Sequence, residues 1–558
     1  MSEVRGNVVP SEINPQGFNN VLDVAAWACR EFAQKPVFTS LGRTLSYQEL
    51  DELADAFAVY LQKHTSLEPG DRIAIQLPNI VQYPIVLLGA LRAGLVVVNT
   101  NPLYTASEMR YQFRDSGAKA LVIHKSMACK AEEILDDTSI ETVFVTQVGD
   151  LHSLIKRVLI NAAVKYVKKM EPPFRLPEAV PLFDALDLCL GGIPEPLEVH
   201  PEDLAVLQYT GGTTGVSKGA MLTHANLVSN ILQSYERINA VGNGWQDAVI
   251  APLPLYHIYA FTLSQVVMLA GGHSVLIPNP RDIPNLIKEM GHWPPTTFLG
   301  LNTLFVALCK QPEFAELDFE QLRMTVSGGM ALTHAAAAEW QSITGCEIME
   351  GYGLTETSPV VAVNPYDAVQ LGSIGLPVSA TEVKVIGDDG NAVADDAPGE
   401  LCVRGPQVMK GYWQRPEATD QAFTKDGYFR TGDIAVMQKD GYLRIVDRAK
   451  DMIITSGFNV YPNEVEDVLC SHPDVVECAA IGVPDDICGE VVKAFVVTEA
   501  DVLTTEQIRE WCQQQLTRYK VPQYVEFVNE LPKTNVGKVL RRELRDRTAV
   551  DNVNRAAG

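Results

Sequence analysis

Up to about residue 370, short apolar and β-branched runs alternate with longer stretches of helical periodicity. The apolar runs are 72–77, 96–100, 120–124, 142–146 and 248–253. Between them lie helix-length amphipathic segments, such as 46–64 and 107–117. Continuous apolar runs of this length are typical of parallel strands covered by helices on both faces. The pattern therefore predicts an α/β fold built on largely parallel, buried strands.

The pattern changes at about residue 371. From there to about 446, short strands are broken by Gly, Pro and Asp-Gly turns, which indicates an antiparallel meander or a small β-barrel-like subdomain. Residues 451–558 have their own alternation of helix and strand and the size of a small α+β domain. We place the boundary in the charged segment Asp447–Asp451, so that residues 1–447 form the large domain.

The composition is that of a soluble globular protein. The chain has 558 residues, of which 46% are hydrophobic and 20% charged, and its net charge is −24. Such an acidic chain lacks the basic face of a general nucleic-acid binder. Its ten cysteines show neither a C-x-x-C pair nor zinc spacing. Together with an N-terminus that has no apolar signal core, they predict buried thiols in a cytoplasmic protein.

Residues 249–269 contain no Asp, Glu, Lys or Arg and are long enough to span a membrane. Two prolines, His257 and Gln265 interrupt the segment, and its first half, APLPLYH, has the pattern of a buried strand running into a turn. These features argue against a transmembrane helix.

The segment 154–170, LIKRVLINAAVKYVKKM, carries five basic residues and no acidic one. On a helical wheel, Ile155, Leu159, Ala162, Tyr166 and Met170 share one face, and Arg157, Lys165, Lys168 and Lys169 gather opposite. This pattern fits a helix lying on an anionic membrane surface, such as the inner leaflet of the cell membrane. It fits equally a surface helix packed on its own protein, and both interpretations stay open.

Residues 209–224, YTGGTTGVSKGAMLTH, combine glycines, hydroxyls and one lysine. The segment fails the P-loop pattern because Val216 and Ser217 separate Gly215 from Lys218, and a glycine follows the lysine. Glycines nevertheless permit close backbone approach, and hydroxyls with a lysine can bind phosphate oxygens. The segment predicts a phosphate-binding loop of another kind; the alternative is a Gly/Thr-rich surface turn.

Three further segments suit a nucleotide-handling enzyme. In GYGLTETSP (351–359), Tyr352 can stack on a base and Glu356 can bind Mg²⁺. In FRTGDIA (429–435), Asp433 can accept hydrogen bonds from ribose hydroxyls. Lys538 follows a glycine on a basic stretch. Taken singly, Asp433 could be a turn residue, Arg448 a surface charge and Lys538 a solvated lysine.

Six ordered motifs together change this assessment. They are YTGGTTGVSKG, LPLYH, GYGLTE, FRTGD, DRAKDMIITSGFNVYP and PKTNVGK. In this order the chain resembles the adenylate-forming superfamily of acyl-coenzyme A synthetases, luciferases and peptide-synthetase adenylation domains. The segments NPLYTASEMRYQFRDSGAK, INPQGF and VGKVLRRELRD make it most similar to the bacterial long-chain fatty-acid–coenzyme A ligases.

The resemblance implies a two-step ligase reaction that uses ATP, Mg²⁺ and coenzyme A. A fatty-acid carboxylate attacks the α-phosphorus of ATP and releases pyrophosphate; the coenzyme A thiol then attacks the acyl carbon and expels AMP. Alternatives are a ligase for a medium-chain or aromatic acid, a loader of a carrier protein, or a nucleotide-binding regulator that has lost turnover. The oligomeric state stays open, a homodimer included, as does the chain-length preference.

The resemblance also assigns roles to residues. Lys538 would bridge carboxylate and α-phosphate, and Glu356 would hold Mg²⁺. Asp433 and Arg448 would bind the ribose, and Tyr352 with Gly328 and Gly329 would frame the adenine. His257 would lie beside the reacting carboxylate, unless it is a core histidine whose hydrogen bonds are all made within the protein. The resemblance also makes Thr214 a catalytic residue. The other residues that would contact the nucleotide are Tyr209, Thr210, Gly211, Gly212, Thr213, Gly215, Lys218, Gly353 and Thr355.

For the second step, the resemblance implies a rotation of the small domain about a hinge at 448–450, with Lys450 as the hinge residue. The turn containing Gly457 would then line the pantetheine channel. Tyr259 and Phe261 are candidates for an acyl tunnel and equally for ordinary core. The family commonly has D-R-K-K in this segment, whereas this chain has Asp447–Arg448–Ala449–Lys450. Only the third residue differs, so only a local surface contact of that residue is in doubt.

Overall fold

The structure is a computed structural model that describes residues 13–14, 16–210, 217–239, 248–387, 389–456, 458–485, 488–498, 503–534 and 539–556. Its strands, in chain order, are β1 (Pro36–Ser40), β2 (Arg43–Ser46), β3 (Arg72–Gln76), β4 (Val96–Asn99), β5 (Ala118–His124), β6 (Thr142–Thr146), β7 (Val180–Pro181), β8 (Leu204–Thr210), β9 (Lys218–Thr223), β10 (Ala248–Ala251), β11 (His273–Leu276), β12 (Thr297–Gly300), β13 (Met324–Ser327), β14 (Ile348–Gly353), β15 (Val360–Val363), β16 (Leu376–Pro377), β17 (Glu382–Ile386), β18 (Pro398–Arg404), β19 (Phe429–Met437), β20 (Leu443–Arg448), β21 (Ile453–Thr455), β22 (Phe458–Val460), β23 (Val475–Asp485), β24 (Gly489–Thr498) and β25 (Tyr524–Phe527).

The helices are α1 (Val21–Glu31), α2 (Tyr47–His64), α3 (Gln82–Arg92), α4 (Ala106–Ser116), α5 (Ala128–Glu132), α6 (Leu154–Ala162), α7 (Leu182–Cys189), α8 (His224–Asn239), α9 (Ile258–Leu269), α10 (Ile283–His292), α11 (Asn302–Cys309), α12 (Pro312–Ala315), α13 (His334–Thr344), α14 (Pro416–Ala422), α15 (Pro462–Cys470), α16 (Thr505–Gln513) and α17 (Arg541–Ala556). A 3₁₀ turn spans Thr355–Thr357, and a π-helical turn, Ala163–Val167, continues α6.

Two large sheets carry the first part of the chain. A seven-stranded sheet has the order β7-β6-β5-β3-β4-β8-β9 and is parallel except for the β8–β9 pair. A nine-stranded sheet has the order β16-β15-β14-β13-β12-β10-β11-β1-β2, with a parallel centre and antiparallel edges. The apolar runs predicted as strands become β3, β4, β5, β6 and β10. The predicted α/β fold with largely parallel, buried strands is confirmed.

Local signals set the limits of the helices between these strands. The Thr105 hydroxyl accepts from the Glu108 backbone N–H, and the Glu108 carboxylate accepts in return from the Thr105 N–H, which forms a capping box at the start of α4. Gly117 ends α4 in the left-handed conformation, where glycine carries no Cβ penalty. At α2, the Ser46 hydroxyl accepts from the Glu49 N–H. The amphipathic stretches therefore fold as helices at the predicted positions.

The β-rich segment forms a four-stranded antiparallel sheet of order β17-β18-β19-β20. Strands that follow one another in sequence are neighbours in space, so this part is a meander, one of the two predicted alternatives. Its inner face buries Val385, Leu401, Val403, Ala435 and Leu443. The meander ends at Arg448, directly before the segment predicted as the hinge.

The last part of the chain has its own sheet, of order β22-β21-β24-β23, with β25 parallel to β24. Helices α15, α16 and α17 accompany this sheet. Two clusters of buried apolar side chains, one around Phe495 and one around Ile508, draw only on residues from 453 onward. A core of its own is what a separate small domain requires. Movement of this part as a unit stays a prediction.

The apolar segment 249–269 divides into strand β10, a proline-containing turn and the buried helix α9. Helix α9 has 12 residues, which is too short to cross a bilayer. Among the helices of the described residues, none is both long and apolar enough to span a membrane. All ten cysteines are free thiols; seven are buried and three are partly buried.

Candidate active site

The glycine/threonine loop leaves the seven-stranded sheet at Thr210 and returns at Lys218, and these two residues are paired across β8 and β9. The Ser217 hydroxyl donates to the Thr210 carbonyl at 2.5 Å, which ties the two ends together. The Tyr111 hydroxyl, on α4, donates to the Ser217 carbonyl at 2.7 Å. Lys218 is exposed. The predicted ligands between these ends, Gly211, Gly212, Thr213, Thr214 and Gly215, lie outside the described residues.

Tyr209, predicted as a nucleotide contact, is 7% exposed. Its hydroxyl donates to Asp115 Oδ2 at 2.7 Å, and Arg415 forms an ion pair with the other oxygen of that carboxylate. Burial and the neighbouring carboxylate raise the pKa of the Tyr209 hydroxyl. The hydroxyl therefore connects β8 to α4, and a contact of Tyr209 with a nucleotide through other atoms stays a prediction.

Glu356 lies in the 3₁₀ turn that begins with Thr355, shortly after β14. The Tyr412 hydroxyl donates to its Oε1 at 2.8 Å, and the Met409 N–H donates to its backbone carbonyl. Burial raises the pKa of the Glu356 carboxyl, and the bond from Tyr412 opposes this rise. Gly353 is required here because a Cβ would lie 2.0 Å from the Pro359 carbonyl oxygen.

The residues around Glu356 fit a magnesium ion that is shared with phosphate. A partly buried carboxylate of raised pKa gains from a neighbouring cation, because the cation stabilises its charged form. Within the described ranges, no three His, Cys, Asp or Glu side chains group together as metal ligands. Mg²⁺ commonly takes one or two protein carboxylates and completes its shell with phosphates and water. Glu356 can serve as such a carboxylate.

Three predicted nucleotide residues from three motifs meet at the Asp433 carboxylate. The Tyr352 hydroxyl donates to Asp433 Oδ2 at 2.6 Å, and Arg448 Nε lies 3.2 Å from Asp433 Oδ1. Asp433 and Arg448 are opposite each other on β19 and β20. Burial and Asp433 raise the pKa of Tyr352, so its hydroxyl stays a donor. A carboxylate oxygen has two lone pairs, so Asp433 can also accept from ribose hydroxyls.

Gly328 and Gly329 follow β13 at the carboxyl edge of the nine-stranded sheet. Gly329 has φ +80° with open space around a notional Cβ, and a Cβ at Gly328 would lie 3.0 Å from the Tyr259 ring. This edge of an open α/β sheet is where ligands bind. His257 is the N-cap of α9, and its Nδ1 accepts from the Tyr259 N–H at 3.3 Å. The structure thus brings the adenine and carboxylate candidates to one sheet edge.

The residues predicted to form an acyl tunnel surround little open space. Phe261 is fully buried, and the Tyr259 hydroxyl is buried without a hydrogen-bond partner. Beside them, Ala251, Leu255, Ala260, Ser264, Val267 and Leu299 are among the residues that line an apolar cavity. That cavity, of about 10 Å³, holds no more than a water molecule. Roles for Tyr259 and Phe261 in acyl binding stay predictions.

The segment between the meander and the last sheet is an exposed turn at Ala449 and Lys450. Just before it, the fully buried Asp447 accepts from the Asn463 N–H at 2.7 Å, and Arg541 lies 3.9 Å away. Burial raises the pKa of Asp447 to about 6. These contacts cross the proposed hinge, so any rotation has to rearrange them. Gly457 and Lys538 lie outside the described residues.

Sequence reasoning missed three residues of this site. Tyr412 binds Glu356, Asp115 binds Tyr209, and Tyr111 binds Ser217. Tyr412 stands beside a glycine in KGYW, and Tyr111 and Asp115 lie on an ordinary amphipathic helix. Tyr111 and Asp115 lie in the segment NPLYTASEMRYQFRDSGAK, which supports the resemblance but assigns them no role, and the partners of all three residues are distant in sequence.

The AMP-binding enzyme family model matches residues 25–413, and the AMP-binding enzyme C-terminal domain matches residues 464–538. A long-chain-fatty-acid–CoA ligase of Escherichia coli O157:H7 is 50% identical over 98% of each chain. The corresponding ligase of Haemophilus influenzae is 47% identical over 95% of each chain.

Solved structures agree with this assignment. ATP-bound MatB from Rhodopseudomonas palustris superposes with a TM-score of 0.81 at 31% identity and covers 95% of this chain and 99% of its own. An anthranilate CoA ligase in complex with anthranoyl-AMP reaches 0.83 at 25% identity over 95% and 97% of the two chains. With matching motifs, fold and near full-length relatives, this chain belongs to the AMP-binding enzyme family.

Proposed function

We propose that this protein is an AMP-forming long-chain fatty-acid–coenzyme A ligase. A fatty acid and ATP give an acyl-adenylate and pyrophosphate; the adenylate and coenzyme A then give acyl-coenzyme A and AMP. The observation that carries the choice of acid is the 50% identity, over 98% of both chains, with ligases of that name. The convergence of Tyr352, Asp433 and Arg448 supports the nucleotide part independently.

The first step requires cations because carboxylate and triphosphate repel each other. Lys218 at the start of β9 supplies one positive charge beside the phosphate loop, and Lys538 would supply another at the α-phosphate. Magnesium at Glu356 would neutralise charge that builds up on the phosphate oxygens. Because a fatty-acid carboxylate is ionised at neutral pH, it needs no general base. His257 at the start of α9 can instead orient it.

The nucleotide is held at the opposite end. Asp433 accepts the ribose hydroxyls, while Arg448 and Tyr352 fix the orientation of that carboxylate. Gly328 and Gly329 leave the sheet edge open for the adenine. Fixed contacts of this kind restrict the α-phosphorus to one position, which accelerates an in-line attack.

The second step needs a thiol at the carbon where the phosphate cations acted before. We infer that the part from 451 onward rotates about Lys450, which removes Lys538 and brings the turn around Gly457 to the acyl carbon. Lys450 lies in an exposed turn between β20 and β21, where a change of backbone angles meets little packing.

Helix α6 and the π-helical turn that continues it support a second proposal, which is attachment of the protein to an anionic membrane. Ile155, Leu159 and Tyr166 on its apolar face are 75%, 65% and 70% exposed. Asn161 fixes the helix to the body by accepting from the Gly149 N–H and donating to Asp150, and Arg157 stacks on Phe183. Within the part of the chain that the structure describes, this apolar face is therefore left uncovered.

Charge determines which occupant we propose for this face. The segment 154–170 carries five basic residues and no acidic one, in a chain of net charge −24. An interfacial helix with basic residues around its apolar face binds anionic lipid through both hydrophobic and electrostatic contacts.

The proposed activity is tested by pyrophosphate release with a panel of acids, with and without coenzyme A. We expect release with long-chain fatty acids and formation of a thioester only when coenzyme A is present. Preference for a medium-chain or aromatic acid, or thioester formation only on a carrier protein, would select one of the alternatives. Absence of release with every acid would refute the ligase assignment.

The role of Lys538 predicts a split between the half-reactions. Lys538→Ala should slow adenylate formation at least about 100-fold, because a transition-state charge loses its partner. Thioester formation from supplied acyl-adenylate should stay largely intact. Lys439→Ala, at a lysine whose side chain is 82% exposed, is the control and should change neither. Parallel loss of both half-reactions in Lys538→Ala would contradict the role.

The hinge predicts the opposite split. Lys450→Pro locks φ near −65° and should block thioester formation while adenylate formation continues. Lys450→Ala removes the same side chain but keeps backbone freedom, so it should support both steps. Rapid-quench measurement of each half-reaction distinguishes the two variants. Equal loss of both steps in Lys450→Pro would remove the hinge assignment.

Membrane attachment is tested by co-sedimentation with vesicles. The wild-type protein should bind vesicles that contain phosphatidylglycerol, and this binding should weaken at high salt. It should not bind vesicles of pure phosphatidylcholine. Ile155→Glu with Leu159→Glu should abolish binding, whereas Leu103→Glu with Leu371→Glu, which adds the same charge at exposed leucines elsewhere, should not. Unchanged binding in the first pair, or a dimer that only this pair dissociates, would refute the proposal.

A further inference from the structure

Residues 409–415, here called the bridging segment, extend the seven-stranded sheet beyond β9. The Lys410 N–H donates to the Met221 carbonyl at 3.0 Å, and the Met221 N–H donates to the Gly411 carbonyl at 2.9 Å. The Trp413 N–H donates to the Gly219 carbonyl at 2.8 Å. Reciprocal backbone bonds of this kind hold the segment as firmly as an antiparallel strand.

The bridging segment is fixed on two further sides. The Met409 N–H donates to the Glu356 carbonyl at 2.8 Å, so the segment also holds the turn that carries Glu356. The Trp413 indole donates to the Asp115 carbonyl at 3.1 Å, and Arg415 pairs with the Asp115 carboxylate. The segment therefore connects β9, the Glu356 turn and α4 by contacts that leave it little freedom.

The side chain of Tyr412 lies at the centre of this arrangement. Its hydroxyl donates to Glu356 Oε1 at 2.8 Å, and the Lys218 ammonium lies 5.0 Å from the centre of its ring. One rigid side chain thus contacts both the carboxylate that suits magnesium and the lysine beside the phosphate loop.

We propose that Tyr412 is a positioning residue for magnesium-bound ATP: its hydroxyl orients Glu356 towards the metal, and its ring holds the Lys218 ammonium beside the phosphates. The inference rests on the proposed function and adds a residue to that site. Glutamate and lysine side chains lose much rotamer freedom when they bind a ligand. A partner that orders them beforehand reduces that loss, as groups behind metal ligands do.

The test is equilibrium binding of α,β-methylene-ATP by calorimetry, with and without Mg²⁺ and in the absence of fatty acid. Magnesium should tighten binding to the wild-type protein. Tyr412→Phe keeps the ring and loses the hydroxyl. The factor by which Mg²⁺ tightens binding of the analogue should therefore fall about tenfold, and binding without the metal should be as in the wild-type protein. Tyr412→Leu also loses the ring and should bind more weakly under both conditions.

The chain contains a matched control in Tyr428. Its hydroxyl donates to Glu382 Oε2 at 2.8 Å, and the Lys384 ammonium lies 4.3 Å from its ring centre. This is the same tyrosine, glutamate and lysine arrangement, on the exposed face of the meander. Tyr428→Phe and Tyr428→Leu should therefore bind the analogue as the wild-type protein does, with or without magnesium.

The outcomes separate this inference from the proposed function. If the wild-type protein fails to bind the analogue, the ligase assignment fails. If it binds and Tyr412→Phe keeps the full magnesium-dependent gain, the positioning role is refuted. Thermal unfolding of each variant identifies a loss of fold, and should Tyr412→Leu not fold, the nearly isosteric Tyr412→Phe decides.

Discussion

The buried carboxylate of Asp433 joins parts of the molecule that the chain keeps far apart. It accepts from Tyr352 on the nine-stranded sheet and pairs with Arg448 at the end of the meander. Asp433 is only 4% exposed, so these two partners replace the water that a surface carboxylate would bind. The Asp433 carboxylate therefore links the edge of the nine-stranded sheet to the meander, close to where the last part of the chain begins.

An acidic protein whose three substrates, a fatty acid, ATP and coenzyme A, are all anionic has to place its cations locally. The net charge is −24, yet Lys218 and Arg448 lie where phosphate and ribose are expected. Screening at physiological salt confines charge effects to about 8 Å, so the nearest side chains matter more than the total. The same principle applies to the segment 154–170, whose basic residues create a local field of opposite sign.

Rigid and movable supports lie side by side in this site. The bridging segment is bonded through its backbone to Gly219 and Met221 of β9 and to the Glu356 carbonyl, and its Tyr412 ring contacts Lys218. The turn at Lys450 is exposed, and the contacts of Asp447 with Asn463 and Arg541 connect the two sides. In the mechanism proposed above, the supports of Glu356 and Lys218 therefore stay in place while Lys538 leaves with the last part of the chain.

The sequence alone determined the class of fold and singled out the candidate residues of the nucleotide site. Apolar runs of five or six residues predicted the parallel strands, because burial on both faces removes polar positions. Motif order predicted Tyr352, Glu356, Asp433 and Arg448, and the structure places Tyr352, Asp433 and Arg448 in contact although Tyr352 and Asp433 lie 81 positions apart. Helix limits followed from local caps such as Thr105 and Gly117.

Only the tertiary structure decided the supports behind these residues. Tyr412 contacts Glu356 across 56 positions and Tyr209 contacts Asp115 across 94, and the sequence assigned no role to Tyr412 or Asp115. It also decided that the apolar face of the helix at 154–162 remains exposed, which a helical wheel cannot show. Periodicity and caps are local properties of the chain, whereas partners and burial depend on which distant segments the fold brings together.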